Sequence, residues 1–172
     1  MPSITTHFSS SLPIIVFTRP AESTQEWQEL DRGPGHFDIP VGQEIRVRIK
    51  SIGDDDLLNL VRELQDVEAL RFLDLAENRN VTNGGMPRLR GLPQLTGLNL
   101  SSCTITNTGL TCLRDLRHLE YLDLSYCNRL TDAALKTLES MRRLVYVSLL
   151  GCLSISNGGL SRIRRKSLEI YH

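Results

Sequence analysis

No sign of charge dominates this chain, no apolar run is long, and large rings are scarce; each shortage removes a class of function. Lysine plus arginine number 20 and aspartate plus glutamate also number 20 among 172 residues. Nucleic-acid binding draws on a basic excess that displaces counterions from phosphates, so nucleic acid is not an expected partner. No stretch approaches the roughly 18 apolar residues of a spanning helix, and no membrane insertion is expected. The opening segment has no basic stretch, and its apolar run from Leu12 to Phe17 is shorter than the roughly 7 to 15 residues of a secretory signal, so the reading is of a cytoplasmic chain. The four cysteines and four histidines show neither CxxC nor HxxxH spacing, which gives no metal site or cofactor to expect. No GxSxG elbow occurs, and Gly84-Gly85 and Gly158-Gly159 lack the Gly-Lys-Ser/Thr of a phosphate loop. With no catalytic equipment visible, the chain is read as a non-enzyme.

Leucine is what the chain has in excess, with 29 copies against nine aromatic residues, and it recurs with a period. Leu70, Leu95, Leu119 and Leu144 open the segments LRFLDLAEN, LTGLNLSSC, LEYLDLSYC and LVYVSLLGC. A step of the form Val/Ile/Leu, Thr/Ser, Asn/Asp follows in each: Val81-Thr82-Asn83, Ile105-Thr106-Asn107, Leu130-Thr131-Asp132 and Ile155-Ser156-Asn157. Apolar residues three apart come next, as in Leu110/Leu113/Leu116 and Leu135/Leu138/Met141, the spacing of one buried face of a short helix. Each unit therefore reads as strand, turn, helix. Self-similarity at such a period is the mark of a repeat architecture, in which one unit cannot cover its own apolar face and neighbours stack to bury it.

These motifs resemble the leucine-rich repeat family, and in particular its cysteine-containing subtype within the ribonuclease-inhibitor-like superfamily, most closely at LEYLDLSYCNRLTDAAL from Leu119 to Leu135. The resemblance implies an α/β fold: a right-handed solenoid with a parallel sheet on the concave face and short helices on the convex face. It also implies a non-catalytic protein-interaction module, a sensor or adaptor in signalling that binds a partner protein through the concave sheet. Its alternatives are a regulatory or assembly subunit that makes contact through the solenoid ends, or the substrate receptor of a ubiquitin ligase. No F-box-like leucine pattern occupies the amino terminus, which weakens the last of these.

Domain boundaries follow the repeats. Residues 1–40 read as an amino-terminal cap or a linker, and 41–172 as the repeat domain, with a degenerate unit over 45–69, full units from 70, 95, 119 and 144, and a terminal strand near 168. In the first segment Leu12 to Phe17 suggests a strand. Ser23-Thr24-Gln25-Glu26 is a capping-box pattern that predicts a short helix through Trp27 and Leu30, with Trp27 sealing the first repeat. Cys103, Cys127 and Cys152 recur in one slot, with Asn78 in the equivalent place, and are expected to be reduced, buried and structural. The Thr/Ser-Asn/Asp steps are expected to cap the helices.

Strand alternation also assigns the residues that face away from the core. The third position of each unit gives Arg46, Phe72, Gly97, Tyr121 and Tyr146. The fifth gives Arg48, Asp74, Asn99, Asp123 and Ser148. Phe72, Tyr121 and Tyr146 beside Asp74 and Asp123, with Asn99 and Ser148 between them and a basic end at Arg46, Arg48 and Lys50, are expected to bind a partner segment that carries a basic side chain. Arg162, Arg164, Arg165 and Lys166 form a second, basic candidate patch.

Overall fold

Alternating leucines leave each unit one short strand with a single apolar side, and a near-constant repeat length sets these strands side by side in the same direction. The computed structural model describes residues 6–163, 165 and 167–172. In chain order the strands are β1 (Thr6–Ser10), β2 (Ile15–Pro20), β3 (Gln28–Arg32), β4 (Gly35–Ile39), β5 (Gln43–Arg48), β6 (Leu70–Asp74), β7 (Gly97–Asn99), β8 (Tyr121–Asp123), β9 (Tyr146–Ser148) and β10 (Glu169–Tyr171). Strands β5 to β10 run parallel in sequence order, and β2 and then β3 extend the sheet antiparallel beyond β5. Strands β1 and β4 form a separate antiparallel pair. The helices are α1 (Asp54–Leu64), α2 (Asn107–Cys112), α3 (Ala133–Ser140) and α4 (Asn157–Leu160). Pro87 lies at the start of the corresponding stretch in the unit from Leu70, which forms a 3-10 helix over Met86–Gly91. Among the described residues no helix is long and apolar enough to cross a membrane.

The core is a column of aliphatic side chains. Leu73, Leu98, Leu122 and Val147 from successive strands are fully buried, as are Leu60, Met86, Leu110 and Leu138 from the helical stretches. Two ladders of polar bonds run alongside this column and tie one unit to the next. In the first, the thiols of Cys103, Cys127 and Cys152 donate to the carbonyls of Leu75, Leu100 and Leu124 at 3.1–3.2 Å. Asn78 continues it, donating to the carbonyls of Ile49 and Leu75 and accepting from the Ile52 amide. Burial pushes the Cys103 thiol up to about 12 and also raises Cys127 and Cys152, so the thiolate is strongly disfavoured at all three. The residue before this slot adopts positive φ in five successive units, at Ser51, Glu77, Ser102, Tyr126 and Gly151, which bends the chain so that the next side chain turns inward.

The second ladder departs from the capping expected of the Thr/Ser-Asn/Asp steps. Thr106 and Ser156 do cap their helices, accepting from the amides of Thr108 and Gly159. The Asn/Asp side chains instead reach the following unit. Asn83 accepts from the Thr106 amide and donates to its hydroxyl at 2.8–2.9 Å, Asn107 does the same to Thr131, and Asp54 and Asp132 accept the equivalent pair from Thr82 and Ser156.

Before residue 41 the chain lies against the first unit. Phe8, Ile14, Val16, Phe37 and Ile39 are buried in the same apolar cluster as the leucines, and the rings of Phe8 and Phe37 stack at 5.0 Å. Glu63 of α1 accepts hydrogen bonds from the hydroxyls of Ser10 and Ser11 and from the Ser11 amide. The helix expected through Trp27 and Leu30 does not form. Ser23 makes only a local turn with the Gln25 amide, and Gln28–Arg32 is an edge strand paired with β2. Pairing along the open edge of β2, with Leu30 the one half-buried residue of the strand, outweighs the local capping signal.

Candidate functional site

Strand register places the columns as the alternation requires. Arg46, Phe72, Gly97, Tyr121 and Tyr146 stand opposite one another across the parallel ladder, as do Arg48, Asp74, Asn99, Asp123 and Ser148. On the face turned away from the leucine core the rings come into contact. Phe72 and Tyr121 have centroids 5.3 Å apart, and Tyr121 and Tyr146 are stacked at 4.5 Å with an interplanar angle of 2°. Gly97 makes the first contact possible: a Cβ there would lie 2.1 Å from the Phe72 ring, so only glycine lets Phe72 lean across β7 toward Tyr121.

The ladder is longer than the alternation alone indicated. Tyr171 of β10 stands opposite Ser148, yet its ring leans to within 5.2 Å of Tyr146. At the other end Phe17 of β2 stands opposite Arg46, and the guanidinium groups of Arg46 and Arg48 lie 5.8 Å and 5.2 Å from its ring. Arg46 also covers Phe72 at 4.8 Å. The signal for Phe17 was present in the run Leu12 to Phe17, but its register across an antiparallel strand was not. Tyr171 was hidden by a spacing of 23 residues between Tyr146 and its partner Glu169, shorter than in the units before it.

Three expected features of this face are corrected. Asp74 is 1% exposed rather than open to a partner. It accepts hydrogen bonds from both Arg46 and Arg48, the latter at 2.8 Å, and from the Ala76 amide. Burial pushes its carboxyl up, the bonds from Arg46 and Arg48 pull it down, and the balance leaves it below the usual carboxylate range. Ser148 is 2% exposed, shielded beneath neighbouring side chains and hydrogen-bonded to the Ser125 hydroxyl at 2.8 Å. The basic end is not a field of free cations, since Arg46 and Arg48 are held by Asp74, and Lys50 pairs with Glu77 at 2.9 Å. Asp123 differs from Asp74: it is half-buried, takes only the amide and hydroxyl of Ser125, and has no ion pair among the described residues. Asn99 is likewise half-buried and accepts from the Ser101 amide.

Trp27 also falls elsewhere than expected. It does not seal the leucine core but stands on the ladder's side of the sheet, with the Arg19 guanidinium 4.2 Å above its ring. Trp27, Arg19, Arg46, Phe72, Tyr121 and Glu120 line a cleft of about 430 Å³ between the β2–β3 hairpin and the aromatic ladder. Within it Tyr121 is half-buried, and burial together with the nearby Asp123 carboxylate pushes its phenol up to about 12. Of the second expected patch, Arg164 and Lys166 lie outside the described residues. Arg165 is spent on the chain itself, donating to the carbonyls of Met141 and Leu144. Arg162 lies near Asp132 and contributes to lowering that carboxyl below its usual range, after the bonds from Ser156.

Residues 93–137 match the family model described as "Leucine Rich repeats (2 copies)". Comparison with curated proteins gives no match. Among solved structures the chain is similar to one in "Crystal structure of Rad7 and Elc1 complex in yeast", with a TM-score of 0.58 and 19% identity. That likeness is one of fold. It covers 70% of this chain and 30% of the other, so the chain spans less than a third of the length of that neighbour. Over two units, residues 93–137 are therefore similar to leucine-rich repeats, and they lie in an α/β fold whose sheet is mostly parallel.

Proposed function

We propose that the chain is a non-catalytic protein-interaction module: a right-handed solenoid, capped by the segment before residue 41, that binds a partner segment on the concave face of its sheet. The observation that carries this reading is the continuous aromatic ladder of Phe72, Tyr121, Tyr146 and Tyr171. A fold of this kind has no structural need for four rings in contact on the side away from its core. Half-buried aromatic residues with a polar tip are the side chains that most often anchor protein interfaces. Asp123 sits beside the ladder with no ion pair among the described residues, and supplies the charge that would select a basic side chain on the partner. Asp74, already neutralised, positions Arg46 over Phe72 and makes no contact of its own. An adaptor or sensor role fits a surface that binds without chemistry.

The test is calorimetric titration of a purified partner against three variants. Replacing Tyr121 and Tyr146 together by alanine should weaken binding by about 2 kcal/mol or more while leaving the thermal midpoint nearly unchanged. Asp123→Lys should weaken it further and reduce its salt sensitivity. If these variants bind normally and Leu153→Glu loses the partner, contact through the carboxyl-terminal end of the stack replaces this reading. The exposure of Leu153 at that end, 90%, is the observation that favours the alternative.

A further inference from the structure

The segments that return from each helix to the next strand repeat with the same spacing as the strands, so their side chains stack as well. Leu116-Arg117-His118-Leu119 and Met141-Arg142-Arg143-Leu144 hold equivalent places in adjacent units. Their four apolar residues are buried, which turns the intervening side chains out to solvent on the flank of the stack. Neighbouring units sit about 5 Å apart at the sheet, and at that separation like charges in equivalent positions repel. Arg117, Arg142, Arg143 and Arg114 are all exposed and line one groove of about 220 Å³.

Among the described residues, none of these four arginines has a carboxylate within ion-pair distance. Arg143 instead has its Nη1 3.0 Å from Nδ1 of His118. Other arginines on the same flank are satisfied: Arg90 pairs with Asp115 at 2.6 Å, and Arg165 donates to backbone carbonyls. A groove that gathers four guanidinium groups and leaves them unbalanced is complementary to an anion. Guanidinium forks suit carboxylates held two at a time.

We propose that this groove is a docking site for an acidic peptide segment of a partner protein, with its carboxylates held by Arg114, Arg117, Arg142 and Arg143. A peptide fits better than a nucleic-acid strand. The lining includes Leu116, Leu119 and Met141, and among the described residues it offers no aromatic ring on which a base could stack. The site shares no residue with the aromatic ladder and stands or falls separately from it.

The test uses the full chain and a fluorescein-labelled octaglutamate peptide, read by fluorescence anisotropy at low salt. Saturable binding is expected, weakened at least about tenfold in the double variant Arg117→Glu/Arg142→Glu. The double variant Arg62→Glu/Arg79→Glu changes net charge equally at exposed positions elsewhere, and should bind as the unaltered chain does. Far-UV circular dichroism verifies folding, and Arg117→Gln/Arg142→Gln replaces the charge reversal if that variant does not fold. Three results would overturn the proposal: no saturable binding, equal loss in the two double variants, or tighter binding of an oligothymidylate than of the acidic peptide.

Discussion

Replacing Asp74 by asparagine probes the most buried carboxylate among the described residues and the joint between the amino-terminal strands and the repeats. The carboxylate sits at the end of β6 with its side chain 2% exposed, and its two cationic partners come from β5, with side chains 20% and 37% exposed. Asparagine keeps an acceptor for one guanidinium and for the Ala76 amide but removes the charge that holds Arg46 and Arg48 together. Removing one member of a fully buried ion pair costs roughly 3–5 kcal/mol. Both arginines here retain a path to water, so about 2 kcal/mol is the expected loss, or about 4–8 °C in the midpoint for a chain of this size. The pH dependence makes the prediction sharper. The folded-state carboxyl lies below its unfolded value, so its contribution is fully present above the unfolded pKa of roughly 3.9 and is lost as pH falls through the folded value. Urea denaturation should therefore show a constant gap between the unaltered chain and Asp74→Asn from neutral pH down to about pH 5, closing as acid protonates Asp74. An unchanged midpoint at neutral pH, or a gap that persists undiminished in acid, would refute the account of Asp74 as a charge lock.

Two further outcomes follow from the ladders and the cap. Cys127→Ser should cost about 1–3 kcal/mol in equilibrium denaturation, since the hydroxyl loses the packing of sulfur and bonds the Leu100 carbonyl poorly; in the same protein a thiol reagent should label half-exposed Cys112 quickly and Cys103, Cys127 and Cys152 only on unfolding, and rapid labelling of all four would contradict their burial. A chain beginning at Val41 loses Phe8, Ile14, Val16, Phe37 and Ile39 from the core. At roughly 1.5–3 kcal/mol for each buried side chain that loss rivals the whole stability of a domain, so calorimetry should show no cooperative transition; an unchanged midpoint would make the segment a linker.

The repeat units were legible because their signal is redundant: the same leucine positions recur from Leu70 to Leu149, and the strand register across Gly97, Tyr121 and Tyr146 follows from period two. Burial on the outer face was not legible from that alternation. Period two assigns Asp74 and Ser148 to the side away from the core, but whether they meet solvent depends on how far Arg46, Phe72 and their neighbours extend over them. The Ser23–Glu26 segment misled for a related reason. A capping box is a local signal, worth about 1 kcal/mol, and pairing along β2 outweighs it. The forward reach of Asn83 and Asn107 was also invisible, because a side chain that could cap its own helix is not distinguished in sequence from one that braces the next unit. The arginine groove was readable in principle from Arg117 and Arg142 lying 25 residues apart in equivalent slots, once the return segments are aligned as carefully as the strands.

Site-specific photo-crosslinking tests most directly whether the aromatic face is where a partner binds. A benzoylphenylalanine placed at Tyr146, on the ladder, is compared with one at Thr137, on α3. The account predicts that a partner protein captured at Tyr146 is lost when Tyr121 is replaced by alanine in the same chain, with no equivalent product from Thr137. Capture from Thr137 that equals or exceeds capture from Tyr146, or capture at Tyr146 that is indifferent to Tyr121, would contradict it.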